Sequence, residues 1–238
     1  QLPGLSLALM ALLLALAAGA KVWPVLLLPL ILRPLAAEPR RLLAALALFA
    51  CLLALWIAPV ALAGFGENSG FRAYAELWKT NSALFPALDA IATSAFAVFG
   101  GTATSATLTL KAALAAGLGL FALGIARPAL ARPEDVILRA AAVVTALVLV
   151  SPAQYPWYVL WVLPFLAFWP SRAILMLSAL VPLYYASFHF AARETLETAG
   201  PIIVTLIWVP VWALLVQEIR AYRLRRSDAP AAPELSSA

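Results

Sequence analysis

Few side chains in this chain could do chemistry, and they are scattered among long apolar runs. Lys21 interrupts one such run. Arg72 and Lys79 sit in a polar segment, 64–80, and Asp89 stands alone in a moderately apolar one. The stretch 151–165, SPAQYPWYVLWVLPF, gathers Gln154, Tyr155, Trp157 and Tyr158, and His189, Arg193 and Glu194 follow in a polar loop. Cations in apolar surroundings hold anions, a carboxylate there is a functional candidate by default, and aromatic faces offer apolar area with defined geometry. Other chemistries are excluded by count. One histidine and one cysteine (Cys51) make neither a metal ligand set nor a disulfide within the chain. No glycine-rich phosphate loop and no serine–histidine–acid arrangement is readable.

The elements that must position these groups are membrane helices. Of 238 residues 65% are hydrophobic and 11% charged, with a mean hydropathy of +0.97; a soluble domain would carry about a quarter charged. The apolar residues run continuously rather than alternating, which excludes a membrane barrel. The expected fold is therefore all-α, a polytopic helical bundle of about seven to nine membrane segments, some short or re-entrant. Leu5 to Ala20 and Val22 to Leu32 read as two short helices meeting near Lys21, with one helix kinked at Pro24 as the alternative. Leu42 to Ala63 is a charge-free span. The polar segment 64–80 begins a repeat of Phe71, Tyr74, Trp78 and Phe85 at helical spacing, with Arg72, Glu76 and Lys79 on another face and Arg72 and Glu76 four apart, the pattern of an interfacial helix.

Further along, 83–99 reads as a re-entrant or short helical piece, 100–107 (GGTATSAT) as a loop and 108–126 as a span with Lys111 near its start. Residues 140–150 return into the aromatic turn, which Pro152, Pro156 and Pro164 punctuate, and 158–169 reads as a short returning helix. Residues 173–186 and 201–216 complete the spans around a polar loop at 189–200. Residues 1–219 read as one membrane domain and 220–238 as a basic, then disordered, tail. The chain begins at Gln1, without the basic segment of a signal peptide, and reads as the C-terminal part of a longer protein.

Charge sets the expected topology. Residues 33–41, 127–139, 170–172 and 217–238 hold 11 of the 16 basic residues. The positive-inside rule puts these on the cytoplasmic side of an inner (plasma) membrane and Lys21, 64–107, 151–157 and 189–200 outside. The net charge of +5 follows this asymmetry and gives no reason to expect nucleic acid as a partner.

Three patches in order, KVWPVLLLPL at 21–30, AYAELWKTNSALF at 73–85 and SPAQYPWYVLWVLPFL at 151–166, resemble bacterial GT-C membrane glycosyltransferases. The likeness is closest to family 87 and related polyprenyl-phosphate-mannose-dependent mannosyltransferases. Where such proteins often have His-Pro-Trp-Tyr, this chain has Tyr155-Pro156-Trp157-Tyr158. The resemblance implies a polyprenyl-phosphate sugar donor, a glycan or glycolipid acceptor, and neither metal nor cofactor. It implies donor-phosphate contacts from Lys21, Arg72, Lys79, His189 and Arg193, and sugar or acceptor contacts from Asn81, Gln154, Tyr155, Trp157 and Tyr158. In the family the base is an aspartate in the first outer loop; it has no match before Lys21, so the base is expected N-terminal to this chain, with Asp89 as the candidate inside it.

Each residue also has a plainer reading. Lys21 can snorkel beside a kink; Arg72, Lys79, His189, Arg193 and Glu194 can be solvated; Trp157 and Tyr158 can form an aromatic belt. At the level of the whole chain, a transporter or flippase and a non-catalytic scaffold stand as alternatives.

Overall fold

The computed structural model describes residues 7–64 and 79–227. Arg72 and the expected interfacial helix around Phe71, Tyr74, Glu76 and Trp78 lie outside the described residues, as does the tail from 228 onward. Among the described residues the chain is helical, with one isolated parallel bridge between Thr80 and Ala153. Four segments are long and apolar enough to cross a membrane: Pro39–Ala63, Ala103–Ala126, Arg172–Ala191 and Leu196–Leu224. The shorter apolar segments are Leu9–Ala20, Trp23–Leu35 and Phe85–Val98. This is the composition of a helical membrane protein. Chain contacts divide it into two compact units, Gln1–Gln154 and Tyr155–Ala238.

In the first unit, α1 (Leu7–Ala20) lies against α3 (Pro39–Ala63). Ala11, Leu14, Ala15 and Ala18 of α1 form a buried cluster with Phe49 of α3. Small residues at this contact allow close helix approach, which dispersion then rewards. Gly19 takes this furthest: a Cβ there would meet Trp56 Cγ at 2.8 Å. The chain breaks at Lys21 and continues as a 3₁₀ helix, Trp23–Leu27, then the short α2, Leu28–Ile31. Pro24 and Pro29 force that break, because a proline donates no N–H to the preceding turn.

The helices α4 (Phe85–Val98), α5 (Ala103–Ala126) and α6 (Pro133–Val150) pack in sequence, α4 on α5 and α5 on α6. Gly100, with φ of 73°, ends α4 in a conformation glycine adopts without strain. The expected loop 100–107 is much shorter than that. Thr102 and Ser105 form a reciprocal capping box that starts α5 at Ala103. α6 likewise begins seven residues earlier than its apolar part, at Pro133, where the Asp135 carboxylate accepts the N–H groups of Ala131 and Arg132 at 2.8 and 2.9 Å. These two bonds, with the nearby arginines, hold the Asp135 carboxyl below its ordinary range.

The basic loops are folded as well as charged. Arg139 donates to the carbonyls of Ile125, Pro128 and Ala129, taking up groups that α5 leaves free at its C-terminus. Arg33 Nε donates to the Arg127 carbonyl at 3.0 Å, so the two expected cytoplasmic loops meet.

In the second unit, 156–167 departs from the expected returning helix. It forms two 3₁₀ stretches, Pro156–Trp161 and Leu163–Ala167, each with a proline in its first turn. α7 (Arg172–Leu180), a 3₁₀ turn (Val181–Tyr185) and α8 (Ala186–Ala191) follow. The expected polar loop 189–200 shrinks to a turn at 192–195. α9 then runs from Leu196 to Ser227, so the first basic residues of the expected tail are helical. α9 packs on α7, and its buried residues Ile203, Ile207, Val211 and Leu215 recur every fourth position. Thr205 Oγ1 donates to the Pro201 carbonyl at 2.8 Å.

The Gly19 contact gives a direct test. Gly19→Ala should lower stability in detergent by about 1–3 kcal/mol, the usual cost of overpacking. Adding Trp56→Leu should recover part of that loss. An unchanged thermal midpoint for Gly19→Ala would mean that α1 and α3 do not meet this closely.

Candidate functional site

The site is built on two irregular segments of the first unit that bond to each other. Thr80 N–H donates to the Pro152 carbonyl at 3.1 Å, and Gln154 N–H returns to the Thr80 carbonyl at 2.9 Å. Asn81 Nδ2 donates to the Gln154 carbonyl at 3.1 Å, and Ser82 Oγ to the Ser151 carbonyl at 2.7 Å. Ser151 Oγ turns back onto the Ala153 carbonyl. Gln154 Nε2 donates to the Val148 carbonyl in the last turn of α6. Asn81 holds φ at 47°, a left-handed conformation that asparagine tolerates better than most residues. Asn81 and Gln154 are 7% and 2% exposed. Gln154 is expected at a water-facing turn, and the structure corrects that placement: it is buried, as is Asn81. Their amides are turned inward and join 79–82 to the end of α6.

This clasp delivers Lys79 to the α4–α5 pair. Lys79 Nζ donates to Asp89 Oδ2 at 2.7 Å and to Thr107 Oγ1 at 2.9 Å. Thr107 Oγ1 donates in turn to Asp89 Oδ1 at 2.6 Å. The three groups form a closed ring in which each carboxylate oxygen has a donor. Thr107 is buried, while the Lys79 and Asp89 side chains are 37% and 18% exposed. Phe85, fully buried one turn before Asp89, lies under two ammonium groups. Lys79 Nζ is 5.9 Å and Lys111 Nζ 6.0 Å from its ring centroid. Lys111 follows Thr107 by four residues, so both face α4 from one side of α5. Asp89 is the only acid in the sequence between 79 and 126.

Asp89 is an ion-paired carboxylate. Burial pushes its carboxyl up, but hydrogen bonds from Lys79 and Thr107 and the charges of both lysines more than offset that, leaving it below its ordinary 3.8. Its evident work is to orient Lys79.

The other expected contacts are placed separately. Lys21 is exposed at the break after α1. Arg72 lies outside the described residues. In the second unit His189 is exposed at the end of α8, its ring edge-on to Phe190 at 5.4 Å, and Arg193 is exposed in the turn that follows. The aromatic residues do assemble. Tyr155 stacks on Trp157 at 4.7 Å with planes 2° apart, and meets Tyr158 and Tyr184 edge-on at 5.6 and 5.9 Å. Tyr158 is 5% exposed and stacks on Trp161 at 4.2 Å. It is a core residue rather than the surface contact expected of it. Trp157, 49% exposed, carries the accessible aromatic surface. Among the described residues no group of three His, Cys, Asp or Glu side chains could hold a metal ion.

Sequence reasoning missed Thr107 as the hydrogen-bond partner of Asp89 and the placement of Lys79 and Lys111 over the Phe85 ring. The signal was there in part: an isolated acid in an apolar segment needs donors, and Thr107 and Lys111 stand four apart on the next helix. No protein-family model, curated protein or solved structure matches the chain.

The Lys79–Asp89–Thr107 ring predicts a pH signature. A depressed carboxyl contributes stability that is complete above its unfolded value and is lost as pH falls through the folded one. Thermal stability should therefore fall, as the pH drops below the ordinary carboxylate range of about 4, more steeply in the wild type than in Asp89→Asn. At neutral pH Asp89→Ala should cost about 1–2 kcal/mol, since the pair is part-exposed but tied into a buried hydroxyl. Identical pH profiles would mean that the ring does not form.

Proposed function

We propose that this chain is the membrane-embedded part of a glycosyltransferase of the GT-C kind. It transfers a sugar, mannose in the closest resemblance, from a polyprenyl phosphate to a lipid-linked or cell-envelope glycan on the outer face. About seven to nine membrane segments, some short, belong to the same reading, with the basic loops and the C-terminal segment cytoplasmic. The observation that carries the proposal is the cationic cluster beside the short helix α4. Lys79 is oriented by Asp89 and Thr107, and Lys111 stands across the same Phe85 ring.

Such a cluster suits a lipid phosphate leaving group. The acceptor hydroxyl attacks the anomeric carbon, the bond from that carbon to the phosphate oxygen breaks with inversion, and the acceptor proton passes to a base. Negative charge grows on the departing phosphate, and preoriented ammonium groups in a poorly hydrated site stabilise it. Asp89 is engaged in holding Lys79, and in this reading the base lies in the sequence N-terminal to this chain, with Asp89 as the candidate inside it.

Native membranes carrying the protein should transfer labelled mannose from polyprenyl-phospho-mannose to a lipid-extractable product. Lys79→Ala should lower kcat/KM by about tenfold or more, and Asp89→Asn by less. Failure to transfer from any polyprenyl-phospho-sugar, or full activity in Lys79→Ala, would sink the proposal. Orientation has its own test. In a Cys51→Ala background, a membrane-impermeant thiol reagent applied from outside should label Phe99→Cys and spare Arg40→Cys, both exposed positions of the first unit. The reverse pattern would put the cluster on the wrong side for an exported acceptor.

A further inference from the structure

The second unit carries a feature that the proposed reaction does not use. Glu218 of α9 is bonded to the start of α7. Its carboxylate accepts Ser171 Oγ at 2.8 Å and the N–H groups of Arg172 and Ala173 at 2.5 and 3.2 Å. A carboxylate at a helix N-terminus satisfies free donors and complements the helix dipole. Here the bonds also fix the rotation of α9. The buried stripe Ile203, Ile207, Val211, Leu215 leads to Glu218 on the inward face.

The opposite face follows from that rotation. At about 100° per residue, Arg220 and Arg223 lie about 200° and 140° around the helix from Glu218. They continue the outward face of Ile202, Leu206, Val209, Val216 and Ile219, all of them exposed. Both arginines are exposed, and Tyr222 and Leu224 beside them are each 65% exposed. Because Glu218 binds the Arg172 N–H itself, the exposed Arg172 and the exposed Phe168 belong to the same end of the unit. An apolar lipid-facing stripe thus passes directly into arginines flanked by aromatic rings.

That order of groups is the order of a membrane interface: hydrocarbon, then aromatic belt, then headgroup phosphate. We propose that Arg172 on one side of α9 and Arg220 and Arg223 on the other form a basic rim at this end of the unit that binds anionic phospholipid headgroups, its rotation set by the Glu218 carboxylate. The occupant is a lipid rather than a soluble anion because the arginines sit at the end of a hydrocarbon-facing stripe. It is an acidic lipid because guanidinium pairs bidentately with phosphate, and a headgroup with no balancing cation leaves that phosphate free. The proposal is independent of the transferase reading.

The test uses the whole chain purified in neutral detergent. Phosphatidylglycerol, phosphatidylcholine and inorganic phosphate are added separately, with thermal midpoint and lipid retained by native mass spectrometry as readouts. Phosphatidylglycerol should be retained and should raise the midpoint; the other two should not. Arg172→Gln/Arg220→Gln/Arg223→Gln should weaken that binding on the order of a hundredfold, roughly fivefold per arginine. The corresponding triple lysine variant should bind between the two, keeping the charge but not the bidentate contacts, and Arg40→Gln/Arg41→Gln, in a different loop, should leave binding unchanged. Three results would overturn the proposal: undiminished binding in the triple glutamine variant, equal retention of phosphatidylcholine, or an equal response to phosphate. If the glutamine variant fails to fold, the comparison of the two lipids and phosphate on the wild type still decides.

Discussion

The first unit depends on one constraint: irregular backbone among apolar helices must find its hydrogen-bond partners within the protein. Residues 79–82 and 151–154 meet that constraint by bonding to each other. Each bond contributes only about 0.5–1.5 kcal/mol net, whereas a buried group left without a partner costs about 1–3 kcal/mol. The pairing is therefore enforced more by the penalty for its absence than by its own strength. Its geometric effect is larger than its energy. Gln154 closes the last turn of α6, Ser82 Oγ accepts the Phe85 N–H at the start of α4, and Thr80 sets where Lys79 begins. The position of the ammonium group thus follows from amide and hydroxyl contacts a few residues away.

That indirectness explains what could be read from the sequence and what could not. The long spans were legible, because a charge-free run such as 42–63 has only one inexpensive place to go. The break at Lys21 was legible from Pro24 and Pro29. The start of α5 was not: GGTATSAT has the composition of a loop, yet Thr102 and Ser105 cap one another and turn most of it into helix. Residues 158–169 look helical by apolar content, but prolines at 156 and 164 remove donors and leave 3₁₀ turns. Asp89 announced itself as an acid among apolar residues. Its partner Thr107 did not, since a threonine in a helix is ordinary until the neighbouring helix is in place.

The same distinction applies to Gln154 and Tyr158. Both look like interface residues by type, and both are buried. A glutamine beside three prolines and a helix end is surrounded by carbonyls that lack donors, so the amide is drawn inward. Trp157, with neighbours of the same character, stays half exposed because Tyr155 already occupies one of its faces.

The arginines divide by the same logic. Arg33 and Arg139 spend their donors on carbonyls at helix ends, where they close the fold. Arg172, Arg220 and Arg223 are turned outward, and an acid rather than a carbonyl organises them. Glu218 saturates the α7 N-terminus from within, so the N–H groups of Arg172 and Ala173 are already bonded and an incoming anion finds only the guanidinium groups. A charge-count rule treats all these arginines alike. Their partners separate those that make the loops from those left to meet the headgroups, and that separation exists only once the helices have fixed which way each residue faces.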